Sequence, residues 1–165
     1  TFSKTLFPSL RMGFMVFPPA LAKAARPAIG SLLRGGHRAE QRTLALFIEE
    51  GHYARHLAAM RRLYRKRYRQ LREALNAELH VPHRVLAGEG GMHLTVAIDG
   101  IDDRQLVEQA RGFQLAPAAL SGYYLDTKQR QIGLVLGYGN TSASLYASAI
   151  RRIQTLITQQ QGGKG

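Results

Sequence analysis

Thr1, Ser3, Lys4 and Arg11 fall within the first eleven residues, beside an apolar run from Met12 to Phe17. A lysine amine set among small hydroxyl residues at a strand-to-loop junction can condense with an aldehyde once it is neutral, a state favoured by burial or a nearby cation. Hydroxyls and a guanidinium a few residues away can hold a phosphate, the planar fork giving two parallel charge-assisted bonds. Together these groups suit a phosphorylated aldehyde cofactor. Taken alone, they also suit a surface lysine beside a helix cap.

Other chemistries are less well served. No cysteine is present, which excludes a disulfide framework, a thiolate nucleophile and a zinc-thiolate site. His52 and His56 have a helical spacing that can grip a metal, but no acid completes the set and the usual intervening glutamate is missing. They are expected to be structural or surface residues, and no metal is expected. Gly88, Gly90 and Gly91 fall short of the Gly-x-Gly-x-x-Gly pattern and lack the lysine of a phosphate loop, so nucleotide binding is not supported. From Arg55 to Arg72 the chain has eight basic residues and no acid, interleaved with Tyr64 and Tyr68. That stretch suits either a nucleic-acid backbone or a solvated or interface face.

The elements that must position these groups can be read from periodicity and punctuation. Met12 to Phe17 reads as a buried strand closed by Pro18-Pro19, with a short helical stretch at Ala20 to Ala25. Pro27, Gly30, Gly35 and Gly36 read as loop. A helix follows from His37 with a stop at Gly51, then a long one from His52 to Leu79, closed by Pro82. Arg84 to Ala87 and Met92 to Ile98 read as strands, Asp102-Asp103 as the start of a helix through Arg111, and Ile132 to Tyr138 as another strand. Thr141-Ser142 is the expected N-cap of a last helix, Leu145 to Ile157, before a frayed tail.

The 165 residues suit about one domain, with 45% hydrophobic residues and a formal charge of +12, so a folded chain with an affinity for polyanions is expected. No apolar stretch approaches the roughly 20 residues of a membrane span. The opening Thr-Phe-Ser-Lys has no start methionine or signal pattern, and a lone strand near the start would need neighbours outside the given sequence. A fragment is expected.

The segment Thr1-Phe2-Ser3-Lys4-Thr5-Leu6-Phe7-Pro8-Ser9-Leu10-Arg11-Met12-Gly13-Phe14 resembles the lysine segment of class I and II aminotransferases of fold type I. Phe47 to His52, Met60 to Tyr64, Gly90 to Leu94, Leu120 to Leu125 and Leu134 to Gly139 resemble one branch of that superfamily, the MocR-type regulators of the GntR superfamily. The resemblance implies an α/β chain, the C-terminal part of a fold-type-I transferase dependent on pyridoxal 5'-phosphate (PLP). Residues 1–50 would be a remnant of the large cofactor-binding domain with an interdomain helix, 51–160 a small C-terminal α/β domain, and 161–165 a flexible tail. It implies a Schiff base between the cofactor and Lys4, and phosphate contacts from Thr1 and Arg11. Effector or substrate contacts would come from His93, Tyr123, Tyr124 and Arg130.

An effector-sensing regulator is the first reading, and an aminotransferase acting on an amino acid or amine is the alternative. Implied partners are an amine or amino-acid effector, DNA through a preceding winged-helix domain, and a second copy in a homodimer, all in the cytoplasm. There are two departures from the enzymes. By the resemblance, Val135 stands where the enzymes carry an arginine for the substrate carboxylate, with Arg130 nearby left as an alternative for that role. The large domain's ring-stacking aromatic and its aspartate would lie upstream, so weak cofactor binding is expected of these residues alone.

Overall fold

In the computed structural model, residues 1–34, 36–86, 91–126 and 128–163 are described. Ala87, Gly88 and Gly90 of the expected strand end and glycine cluster, and the last two residues of the expected tail, lie outside them. Contacts divide the chain into two units, Thr1–Met60 and Arg61–Gly165.

In the first unit, helix α1 spans Pro19–Leu33 and α2 spans Arg38–Glu49, while α3, His52–Glu78, begins in this unit and ends in the next. Two expectations are corrected here. The helix expected to end near Ala25 runs through Pro27 and Gly30 to Leu33. Pro19 starts it, alanines and leucines favour it, and Pro27 removes only one hydrogen bond from a helix with no buried residue, where water can satisfy the freed carbonyl. The helix stops at Arg34 in the left-handed conformation (φ 44°), whose N–H bonds the Gly30 carbonyl. The second correction concerns Met12 to Phe17, which form no strand. A strand needs a ladder partner, and beyond Met12 no described residue supplies one; Phe14 and Met15 are each 74% exposed. The stop at Gly51 is present, with φ at 74° after α2.

The second unit is built on a four-stranded antiparallel sheet. Its strands are β1 (His83–Val85), β2 (His93–Ile98), β3 (Ala118–Ala119) and β4 (Gly133–Gly137), in the order β1-β2-β4-β3. Register pairs Leu94 with Leu136 and Val96 with Leu134, so period-two alternation puts these apolar side chains on one face. They form one core with Leu71, Leu75 and Leu79 from the α3 end, Leu106 and Ala110 from α4 (Asp103–Arg111), and Ile150, Ile153 and Ile157 from α5 (Tyr146–Gly162). Burying each large aliphatic side chain contributes about 1.5–3 kcal/mol.

Asp102 caps α4, its carboxylate accepting the N–H groups of Arg104 and Gln105. β3 is an addition; two alanines carry too little pattern to be read in advance. The expected cap of the last helix is corrected. Ser142 bonds the Ser144 hydroxyl, a short 3-10 turn at Ala143–Leu145 intervenes, and α5 begins at Tyr146. The expected end of that helix at Ile157 is also corrected. The helix continues to Gly162, with the Gln160 amide accepting from the Asp102 N–H and donating to its carbonyl.

Candidate functional site

The first unit carries the lysine on a closed loop. The Phe2 N–H donates to the Met12 carbonyl at 2.9 Å, and the Thr1 hydroxyl donates to the same oxygen at 3.2 Å, so the two ends of the segment lie together. Gly13 permits this approach, since a Cβ there would come within 3.3 Å of the Thr1 Cα. A 3-10 turn at Pro8–Leu10 bends the segment back and ends in Arg11, which is left-handed at φ 49°.

Side chains from elsewhere in the unit fix the lysine turn. Phe2 is buried between the rings of Phe14 and Tyr53, with centroids at 5.8 and 5.7 Å. The Tyr53 hydroxyl donates to the Thr5 hydroxyl at 3.0 Å, and the His56 Nε2 donates to the Thr5 carbonyl at 2.8 Å. The first turns of α3 thus hold the residue next to Lys4. Neither histidine is spare: the His52 ring stacks on Phe47 and lies 3.2 Å from the Glu50 carboxylate. Among the described residues, no group of three or more His, Cys, Asp or Glu could hold a metal ion.

Lys4 and Arg11 are exposed, and among the described residues neither pairs with an acid. An amine, a guanidinium and a hydroxyl on one loop, without competing carboxylates, have the chemistry to receive an anionic aldehyde. The Thr1 hydroxyl also accepts the Ser3 N–H at 3.3 Å, so it would trade its bond to Met12 to donate to a phosphate.

The remaining sequence-predicted residues belong to the second unit. His93 opens β2 as an exposed residue, and its ring sits against Gly137 across the strands. Tyr123 is 69% exposed at the end of a 3-10 turn, Leu120–Tyr123, while Tyr124 is half-buried. Arg130 is exposed and pairs with no acid among the described residues. Val135 pairs with Thr95 and Ala118.

Sequence reasoning missed the buried Asp103, read only as helix-start acid. Its carboxylate accepts from the Ser121 N–H and hydroxyl and from the Gly133 N–H. That clamp fixes the turn bearing Tyr123. The doubled Asp102-Asp103 was the available signal, one acid being enough for a cap.

Tyr138 is also buried; its ring meets Tyr64 and Tyr68 edge-on, and its hydroxyl donates to the Gly91 carbonyl at 2.9 Å. Burial, then the neighbouring phenols of Tyr68, Tyr146 and Tyr64, push its ionisation above the usual tyrosine range. Tyr146 is raised by burial, with Arg67 opposing.

No family model matches the chain. It is 29% identical over 156 residues to the HTH-type transcriptional regulator YhdI of Bacillus subtilis, covering 94% of this chain and 33% of that protein. To the probable rhizopine catabolism regulatory protein MocR of Rhizobium meliloti it is 31% identical over 156 residues, 94% of this chain and 31% of that protein. Its fold matches a multiple substrate aminotransferase from Thermococcus profundus with a TM-score of 0.85 and 22% identity, over 99% of this chain and 40% of that one. The chain is therefore homologous to the C-terminal, aminotransferase-like portion of MocR-type regulators and has a fold-type-I architecture. It spans about a third of the length of the curated relatives it matches.

Proposed function

We propose, from that homology, that the chain is the effector-sensing part of a PLP-dependent transcriptional regulator, with the cofactor held covalently through the Lys4 amine. The observation that carries this reading is a pairing of two likenesses: 94% of the chain aligns with MocR, a regulatory protein, while the fold is that of aminotransferases. Bound PLP supplies an electrophilic carbon that an incoming amine can take over from a lysine.

The chain's own residues do the rest. Arg11 and Thr1 would hold the phosphate and Lys4 would supply the amine, which on displacement would carry a proton given up by the incoming effector amine. Thr5 is tied to Tyr53 and His56, so a shift of Lys4 loads the first turns of α3. His93, Tyr123, Tyr124 and Arg130 are the effector-contact candidates. DNA binding through a preceding winged-helix domain, homodimerisation and a cytoplasmic location complete the reading.

Val135, in place of the carboxylate-binding arginine of the resembled enzymes, favours sensing over turnover. The aminotransferase reading, with an amino acid or amine as substrate, keeps one observation in its favour, the fold itself.

The test is a PLP titration of the full-length polypeptide that carries these residues. A visible absorbance band of lysine-bound cofactor is expected, absent in Lys4→Ala and weakened about tenfold or more in affinity by Arg11→Gln, the loss of a charge-assisted pair. A band unchanged in Lys4→Ala overturns the assignment. Multiple turnovers with an amine donor and a keto-acid acceptor would move the chain to the enzyme reading.

A further inference from the structure

The outer face of α3 carries more positive charge than any packing role requires. Arg61, Arg62, Arg65, Lys66, Arg69 and Arg72 are all exposed, and among the described residues none pairs with an acid. At 3.6 residues per turn they fill an arc of about 140° over about 16 Å of helix. Leu71 and Leu75 lie on the opposite side, in the core, with Tyr64 and Tyr68 packed against it. Arg67 points away from the arc and donates to the Gly139 carbonyl, and Arg72 reaches the Tyr68 hydroxyl at 3.4 Å. Glu73 is the only acid between Arg55 and Glu78.

Six cations held on one helix repel one another, and Glu73, one turn after Arg69 in the same arc, is the single acid set against them, with no ion pair to any of the six among the described residues. We propose that this face of α3 is a binding surface for the phosphate backbone of double-stranded DNA. The partner must be densely anionic, which excludes a second copy of a chain whose net charge is +12. A lipid surface fits poorly, because interfacial helices insert an apolar face and the apolar face of this one is already buried. Arginine predominates over lysine in the arc, and its planar fork matches phosphate oxygens in two parallel bonds. The choice of DNA among polyanions rests on the regulator reading above. The surface would add affinity without sequence preference, since phosphate contacts orient a protein but read no bases.

The experiment is fluorescence anisotropy of a labelled, mixed-sequence DNA duplex titrated with the 165-residue chain between about 50 and about 200 mM salt. The expected result is saturable binding whose logarithmic salt slope falls in magnitude by about three to four when Arg61, Arg65, Lys66 and Arg69 are all changed to Gln, at about 0.9 per phosphate contact. A control with the same charge loss, Arg26→Gln, Arg38→Gln, Arg42→Gln and Arg104→Gln at exposed positions elsewhere, should change the slope by less than about one. Circular dichroism checks the helices; should the fourfold variant lose them, the pairs Arg61→Gln/Arg65→Gln and Lys66→Gln/Arg69→Gln replace it, each with about half the effect.

A flat titration, or equal losses in the α3 and control variants, overturns the proposal. So does binding to phosphatidylserine vesicles with none to the duplex. Because absorbance reports the cofactor and anisotropy the DNA, failure of the DNA surface leaves the Lys4 test standing, and failure at Lys4 leaves the salt slope readable.

Discussion

The carboxylate of Asp103 accepts the Ser121 N–H at 2.9 Å and the Ser121 hydroxyl at 2.7 Å, and both residues are buried. The Gly133 N–H adds a third bond, at 3.1 Å, to the oxygen that takes the Ser121 N–H. One side chain at the head of α4 thus ties the Tyr123 turn to the start of β4. Asp103→Ala leaves three donors unpaired in the interior and should cost about 3–5 kcal/mol in urea unfolding. Asp103→Asn should cost about 1–2 kcal/mol, because its one oxygen can keep both N–H groups while its amide faces a hydroxyl able to accept. Equal losses from the two substitutions would show that the geometry, not the charge pattern of the acceptor, is unimportant there.

Gly133 should tolerate no side chain. A Cβ at this position would collide with the Val96 carbonyl oxygen and lie 2.9 Å from the Ala97 Cα, both on the neighbouring strand and neither able to swing aside. Gly133→Ala should cost about 3 kcal/mol or more, either as a thermal shift or as failure to accumulate in the folded state. Gly30 makes the contrast: it lies inside α1 with nothing near its would-be Cβ, so Gly30→Ala should be neutral or stabilise by up to about 1 kcal/mol.

How much of this was legible in the sequence depends on how many constraints met at one place. The long helix, β2 and β4 were readable because Leu71, Leu75, Leu94, Val96, Leu134 and Leu136 repeat with the period of their own element and all face one core. Asp102 was readable as a cap because capping is local. Met12 to Phe17 misled because an apolar run says nothing about whether a partner strand is present. Pro27 misled because a helix exposed on nearly all sides loses little with one hydrogen bond. At the candidate site, the segment around Lys4 was legible by resemblance. The tether from His56 to Thr5 was not, since the two residues are far apart in sequence and a histidine donating to a carbonyl leaves no pattern.

That tether makes its own prediction. His56 Nε2 and the Tyr53 hydroxyl both reach Thr5, whose N–H, like that of Leu6, bonds back to the Phe2 carbonyl. His56→Ala frees the Thr5 carbonyl and should open the lysine turn without disturbing the sheet of the second unit. Amide exchange at Leu6 should quicken by about tenfold, as for the loss of a bond of about 1 kcal/mol or slightly more, while exchange at Leu94 and Leu134 stays unchanged. Tyr53→Phe, which loses one side-chain bond but keeps its ring against Phe2, should have a smaller effect. Protection at Leu6 that survives both changes would mean that the turn holds itself.

The buried tyrosines should lower stability at alkaline pH. Burial, followed by the phenols of Tyr68, Tyr146 and Tyr64, raises the ionisation of Tyr138 above its value in the unfolded chain. In the window from about pH 10 upward, the unfolded state releases the phenolic proton while the folded state keeps it. The folded state then binds more protons, so stability must fall as pH rises, and it is undiminished below that window. Tyr146 acts in the same direction through its own burial, with Arg67 opposing. Tyr138→Phe removes one of these groups and should flatten the alkaline limb of a stability-against-pH curve. It should also lower stability by about 1 kcal/mol at neutral pH through the lost bond to the Gly91 carbonyl. A neutral-pH loss with an unchanged alkaline limb would show that Tyr138 ionises as freely in the folded chain as in the unfolded one.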